Sequence, residues 1–367
     1  MSVYYGENKI KAMRKGTQRA IAIYKGSRLI FQEKMAVVAD SQHVTLEGLP
    51  EFVLFNDPLV VSVAPEEGYA LISVQVIMNG EDITSEVYAN NTIAIPEVKG
   101  GISIAALASP PIVFEDEAVK AICVQNWGGN YIDGEITEHE ASLVTSLNNV
   151  FKQNTNIIYF KEFRYFTGIT DFPTTSVSSF AAGQFYNCTN LLEINMPKIG
   201  GAINLSGLFR NANRLKYIDL TPLMKHSIVG ISNAFRNAGD LEYATFPHTC
   251  TMNNSAYYLF RNCKKLATIN FNDTDWTGVT TYTYAFHECP ALATITGCPV
   301  GFSYDLMFPD SSLLTRESIL VIINGLYDFV GHGSATTRNL KLHSTALGRL
   351  TEDDIEIATN KGWTVTA

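Results

Sequence analysis

Clustered cysteines are missing from this chain: its six, Cys123, Cys188, Cys250, Cys263, Cys289 and Cys298, contain no CxxC pair, and no histidine sits at zinc-finger spacing. A structural zinc site needs such grouped ligands, so no metal is expected. Nucleophile and phosphate signatures are missing as well. The chain has no G-x-S-x-G elbow and no Walker or dinucleotide-binding run, and Gly331-His332-Gly333 is too short to cradle a phosphate. The seven histidines, His43, His139, His226, His248, His287, His332 and His343, are scattered without an associated catalytic motif. The expectation is a non-enzyme with no cofactor. No apolar run reaches the length of about 18 residues that spans a bilayer, so no membrane insertion is expected. The start MSVYYGENKIKAM lacks the apolar core and the small-residue cleavage site of a secretory leader, which predicts synthesis in the cytoplasm without a signal peptide.

Charge is sparse and uneven. Charged residues make up 17% of the chain and hydrophobic residues 46%, the balance of a folded protein rather than a disordered one. The length of 367 residues predicts several domains. Of the net charge of −9, residues 1–34 contribute +6, from eight Lys or Arg against Glu7 and Glu33, leaving −15 for the remainder. A basic arm can bind nucleic acid, but here the basic residues interleave with the strand-like runs KIKAM, RAIAIY and RLIF. That pattern favours a packed surface facing an acidic partner or a neighbouring subunit, so homo-oligomerisation and no nucleic acid are expected. Gly6, Gly16 and Gly26, ten residues apart, suggest short hairpins.

Internal repetition fixes the architecture. The segments FYNCTNLLEINMP, FRNANRLKYIDLT, FRNAGDLEYATFP, FRNCKKLATINFN and FHECPALATITGC begin at Phe185, Phe209, Phe235, Phe260 and Phe286, spaced by 24, 26, 25 and 26 residues. Each carries a small residue three positions on (Cys188, Ala212, Ala238, Cys263, Cys289), then a leucine (Leu191, Leu215, Leu241, Leu266, Leu292), then an apolar residue (Ile194, Ile218, Ala244, Ile269, Ile295). One such unit cannot bury its apolar face, whereas stacked units align these positions into internal ladders. Cysteines on the small rung read as free core thiols, not disulfides.

The leucine-to-isoleucine stretch predicts a short parallel strand in each coil. By the two-residue period, Ile194/Met196, Ile218/Leu220, Ala244/Phe246 and Ile269/Phe271 point inward. The intervening Glu193, Asn195, Tyr217, Asp219, Tyr243, Thr245, Thr268 and Asn270 then form an outward strip, the candidate binding face. Tyrosine offers a large amphipathic surface at low entropy cost, and Asp, Asn and Thr add directional hydrogen bonds. The aromatic set Trp276, Tyr282 and Tyr284 is the second candidate.

Five regions follow: a basic β-hairpin assembly or docking region (1–34), a small antiparallel β-sandwich (35–110), an N-terminal cap of the solenoid (111–184), the leucine-rich repeats (185–300) and a C-terminal α/β cap (301–367). The class is α+β. Turns at Asn79-Gly80 and Gly100-Gly101 punctuate the sandwich, and Pro110-Pro111 ends it. Thr137-Glu138-His139-Glu140 has capping-box spacing before a helix through ASLVTSLNNVF. Thr315 and Thr351 cap two helices near the end, and Gly362 stops the second.

Two weaker chemical patterns remain. Asp133, Gly134, Ile136 and Glu140 match four positions of a calcium loop, but Gly129 and Tyr131 would occupy two carboxylate positions, so a structural turn is expected. Asp219 and Glu242 are two carboxylates that would suit a glycoside hydrolase if they stood about 5 to 9 Å apart, a distance sequence does not give, and solvated repeat edges carry such residues as well.

The repeat pattern F-x-x-C-x-x-L-x-x-I resembles the bacterial surface-antigen (BspA-like) type of leucine-rich repeat, over about residues 112–300. YYGENKIKAMRKGTQRAIAIYKGSRLIF resembles the opening of phage and prophage tail proteins. VIMNGEDITSEVYANNTIAIPEVKGGISIAA and LTRESILVIINGLYDFVG…LTEDDIEIATNKGWTV resemble the β-domain and terminal cap that accompany such repeats. The resemblance implies a tail-associated, receptor-binding component of a virion, contacting other tail proteins through its N-terminal region and a host-surface glycan or protein through its repeats. The alternatives it leaves are a structural fibre or decoration protein, a signal-less adhesin at the bacterial cell surface, and a tail-borne glycan hydrolase.

Overall fold

A computed structural model describes residues 33–128, 134–169, 183–198, 202–223 and 227–367 with their side chains, and the backbone of the strands between residues 3 and 32. The chain divides into two compact units, Met1–Pro111 with Gly129–Thr137, and Ile112–Gly128 with Glu138–Ala367.

The first unit opens with three antiparallel hairpins: Val3–Tyr5 with Asn8–Ile10, Arg14–Lys15 with Gln18–Arg19, and Ala22–Lys25 with Arg28–Gln32. A sandwich of two sheets follows. One sheet orders Tyr88–Ala89, Thr92–Ile95, Leu59–Pro65 and Val44–Glu47. The other orders Glu81–Asp82, Ala70–Met78, Ile102–Ser109, Lys34–Gln42 and Phe52–Leu54. Alternation does the sorting: Leu59, Val61 and Val63 are buried with Ile102, Ile104 and Ala106, while Val60 and Ser62 are exposed.

The expected antiparallel pairing holds with one exception. Ile102–Ser109 runs parallel to Lys34–Gln42. A parallel pair needs a long crossover, and here the intervening residues 43–101 serve as one. Asn79 and Gly80 adopt φ of 54° and 89°, the backbone a tight hairpin turn demands. Gly100 lies against that turn, where an added Cβ would come within 2.7 Å of the Asn79 Cβ.

The second unit is a stack of coils. Tyr217–Asp219, Tyr243–Thr245, Thr268–Asn270 and Thr294–Thr296 pair in parallel, Ile218, Ala244, Ile269 and Ile295 sharing one register. Glu193–Ile194 pairs in parallel with Tyr159–Phe160. A second parallel ladder, which no residue repeat marks, joins Ala202–Asn204, Ser227–Gly230, Thr251–Ser255 and Asp275–Thr281. The phenylalanines stack through the interior, with ring centroids 5.4 Å apart for Phe185–Phe209, 5.9 Å for Phe209–Phe235, 5.1 Å for Phe235–Phe260 and 6.1 Å for Phe260–Phe286. The small rung is more than a space-filler: the thiols of Cys188, Cys263 and Cys289 donate to the carbonyls of Phe151, Phe235 and Phe260 at 3.0, 3.0 and 3.2 Å.

Both ends of the repeat region differ from expectation. Phe151 stacks on Phe185 at 5.6 Å, with Ile157 and Phe160 buried in the following positions, so the coils begin inside the segment assigned to the N-terminal cap. Asn154 stands where the five coils from Phe185 to Phe286 carry Cys or Ala, which disguises the unit. The helix predicted there is only Glu138–Leu143, since the chain must turn into this first coil and Asn148 and Asn149 adopt φ of 50° and 61°. A longer helix lies upstream, Glu117–Trp127. Asp116 Oδ1 accepts from Ala118 N and Val119 N at its start, while Oδ2 accepts from Ile158 N and Tyr159 N of the first coil. At the other end Phe308 stacks on Phe286 at 4.5 Å and Ser311 takes the small rung, donating to Cys289 O at 3.1 Å.

After that rung the strand position is taken by the helix Arg316–Gly325. Thr315 accepts from Ser318 N, and the Ser318 hydroxyl bonds Ala293 O and Ile295 N beside the last strand. Leu306–Phe308, Arg338–Leu342 and Trp363–Thr366 form a parallel sheet, and Glu352–Asn360 begins with a Thr351–Asp354 capping box. Gly362 follows that helix at φ 88°.

Candidate binding surface

The strand register sets out the predicted strip, though not evenly. Tyr217 and Tyr243 lie side by side on adjacent strands, 52% and 37% exposed. Asp219 is exposed, and Glu193, Asn195, Thr268 and Asn270 are half-buried. Thr245 is a correction: it is only 8% exposed. Its side chain is short and its strand lies between those of Asp219 and Asn270, so the longer neighbours cover it.

Several of the polar groups are already engaged. Asp219 Oδ1 accepts from Thr221 N at 2.9 Å and Asn270 Oδ1 from Asn272 N at 3.0 Å, each closing the turn that ends its strand. Lys161 reaches Glu193 at 3.4 Å and Glu115 at 2.8 Å, and the two carboxylates, Glu115 foremost, raise the lysine above its ordinary pKa. The Tyr217 hydroxyl donates to Glu242 Oε2 at 3.3 Å. Asp219 and Glu242 are thus both occupied by local hydrogen bonds. The strip is in practice a pair of in-register tyrosines with a hydrogen-bonded polar frame.

Of the second candidate set, Trp276 and Tyr282 are buried and only Tyr284 is exposed. Trp276 packs edge-on to Phe246 and Phe271 and donates its indole N–H to Thr274 Oγ1 at 2.8 Å, so it is a core residue of the second ladder. The thiol Cys298 is exposed, unlike the five buried ones. Asp133 of the calcium-like run lies outside the described residues. Gly134 adopts φ 80° and Ile136 is buried.

A second surface lies on the turns that follow the ladder phenylalanines. Two residues after each ladder phenylalanine stand Asn187, Asn211, Asn237 and Asn262, at φ of 60°, 63°, 63° and 64°. Asparagine tolerates this left-handed backbone better than other residues with side chains. Their amides chain across the coils, Asn211 Nδ2 to Asn187 Oδ1 at 2.7 Å, Asn237 to Asn211 at 2.8 Å, Asn262 to Asn237 at 3.0 Å. This column floors an open groove of about 640 Å³, with Gln153 at one end and Lys264 at the other.

Two parallel strand ladders, a phenylalanine stack and an asparagine column define leucine-rich repeats. Residues 140–257 and 230–304 match the family described as BspA type Leucine rich repeat region, in six copies. Among solved structures, similarity is found to an internalin C2 from Listeria monocytogenes, at 14% identity and a TM-score of 0.20, covering 59% of this chain and 95% of that one. An internalin (inlF) from the same species gives 12% identity and a TM-score of 0.18, over 69% and 89% of the two chains. No curated protein matches the chain. No helix among the described residues is long and apolar enough to cross a membrane.

Proposed function

We propose that this is a non-enzymatic, tail-associated protein of a phage or prophage, whose leucine-rich-repeat solenoid presents a surface for attachment to a host-surface glycan or protein. In this reading Glu117–Trp127 and Arg316–Gly325, with the sheet that follows, cap the solenoid ends. The basic hairpin region docks to other virion proteins or to a second copy of the chain. The observation that carries the reading is the in-register pair Tyr217 and Tyr243, exposed aromatics on a rigid parallel ladder. Large amphipathic rings held by an ordered backbone suit recognition, because little entropy remains to be lost on binding. The carboxylates of Asp219 and Glu242 have structural partners that account for them without hydrolysis.

Changing Tyr217 and Tyr243 together to Ala should weaken attachment to isolated host envelope and leave the melting temperature nearly unchanged. Unaltered attachment would remove the strip from the account. Deleting residues 1–34 should separately abolish incorporation into particles, and normal assembly of that variant would remove the docking role.

A further inference from the structure

The position directly after each ladder phenylalanine carries Arg210, Arg236 and Arg261 in three consecutive coils, then His287. Successive coils stack about 4.8 Å apart, so these positions recur at that short interval. Arg261 is paired with Glu288, Nη2 to Oε1 at 3.1 Å. Among the described residues Arg236 donates to Asn233 Oδ1 at 3.4 Å and has no carboxylate partner, and its Nε is buried without a hydrogen bond. Burial first, then the charges of Arg210 and Arg261, hold Arg236 below its ordinary pKa. A cation in this position is improved by an anion arriving from outside.

The same rung holds a tyrosine stack. Arg236 and Arg261 lie 4.6 and 4.8 Å from the Tyr258 ring, and Tyr258 stacks on Tyr284 at 5.3 Å. Tyr284 is 42% exposed. The backbone at both tyrosines is left-handed, φ 58° and 56°, two residues before the ladder phenylalanine. Earlier coils fill this position with Gly207 and Asn233, at φ 65° and 57°, residues that accept the conformation readily. A bulky aromatic there is strained, and neighbouring coils show that the fold does not need one. Strain retained in two adjacent coils, beside a cation with no carboxylate partner, points to a function.

We propose that Arg236, Arg261, Tyr258 and Tyr284 form a subsite for an anionic polysaccharide, with a sugar ring stacked on the tyrosines and its acidic group against Arg236. This rests on the attachment reading above and names the class of receptor. A polymer bearing one ring and one negative charge per unit matches a site in which two stacked tyrosines on adjacent coils stand beside Arg236, which has no carboxylate partner. Polyphosphate supplies the charges without rings, and a neutral glucan the rings without charges.

The test is titration of the full chain by calorimetry with polygalacturonate, amylose and polyphosphate. Polygalacturonate should bind, amylose should bind at least tenfold more weakly, and added salt should weaken the polygalacturonate complex. Arg236→Gln should lower its affinity at least tenfold. The double variant Tyr258→Asn and Tyr284→Asn should lower it similarly while its melting temperature holds or rises, because Asn fits the left-handed backbone. Absence of polygalacturonate binding, equal binding of polyphosphate, or full affinity in the tyrosine double variant would each overturn the subsite. Envelope attachment that survives in Arg236→Gln, with polygalacturonate unbound by the unaltered chain, overturns this subsite and leaves the Tyr217–Tyr243 surface standing. Polygalacturonate binding that the Arg236 change abolishes supports it even where envelope attachment is absent.

Discussion

The guanidinium of Arg316 clasps the carboxylate of Asp354 through two bonds, Nε to Oδ2 at 2.7 Å and Nη2 to Oδ1 at 2.6 Å, joining the starts of two helices. The backbone N–H of Thr351 donates to the same carboxylate at 2.8 Å. Arg316 first, then Thr351, hold the Asp354 pKa at about 2, below the ordinary 3.8. A depressed folded value means the stabilisation is complete above the unfolded pKa and is lost as pH falls from 3.8 towards 2. The melting temperature of the unaltered chain should therefore drop more steeply across this window than that of Asp354→Asn. Parallel curves would show that the pair contributes nothing.

The phenylalanine ladder should be costly to interrupt. Phe209, Phe235 and Phe260 are buried and stacked on both sides. Changing any one to Ala should destabilise the protein by about 3 to 5 kcal/mol in denaturant titrations. A loss below about 1 kcal/mol at all three would contradict the stacking.

Asn237 makes two ladder bonds and sits at φ 63°. Asn237→Ala should cost about 2 kcal/mol, since it loses hydrogen bonds and gains backbone strain. Asn237→Gly should cost less, because glycine relieves the strain. If the glycine variant is the less stable of the two by equilibrium unfolding, the backbone conformation is not what selects asparagine.

Thiol reactivity should separate one cysteine from five. Burial pushes Cys188 and Cys289 up to about 12, and raises Cys123 and Cys263 as well, so little thiolate forms at neutral pH. A disulfide reagent should label only the exposed Cys298 quickly and all six after denaturation. Rapid labelling of Cys263 in the native protein would contradict its burial. Cys263→Ala should cost about 1 kcal/mol, the net worth of its bond to Phe235 O.

The repeat register was legible because Phe, Cys/Ala, Leu and Ile recur at fixed offsets. Thr315, Thr351 and Gly362 were legible because capping chemistry is local. The first coil was not, since Asn154 replaces the small rung and Phe151 precedes Phe185 by 34 residues. The second strand ladder shares no residue type from coil to coil; Ala202, Ser227, Thr251 and Asp275 open its strands. Trp276 was misread because aromatic residues in a Thr-rich stretch look like a loop until that ladder is known. The asparagine column was present as the third letter of FYN and FRN. Its signal is backbone conformation, which hydrophobic periodicity does not report. The tyrosines at Tyr258 and Tyr284 stand out only against Gly207 and Asn233, a comparison that needs the coils aligned on their turns.

Because Phe209 meets Phe235 and Phe235 meets Phe260 with the same 11° between their ring planes, each coil offers its successor the seat it took from its predecessor. A duplicated unit of about 25 residues would therefore slot in between existing coils without a new packing solution. The number of repeats in this region becomes a dial for reach: length can be gained or shed in whole steps, while both ends of the molecule keep their own sequence.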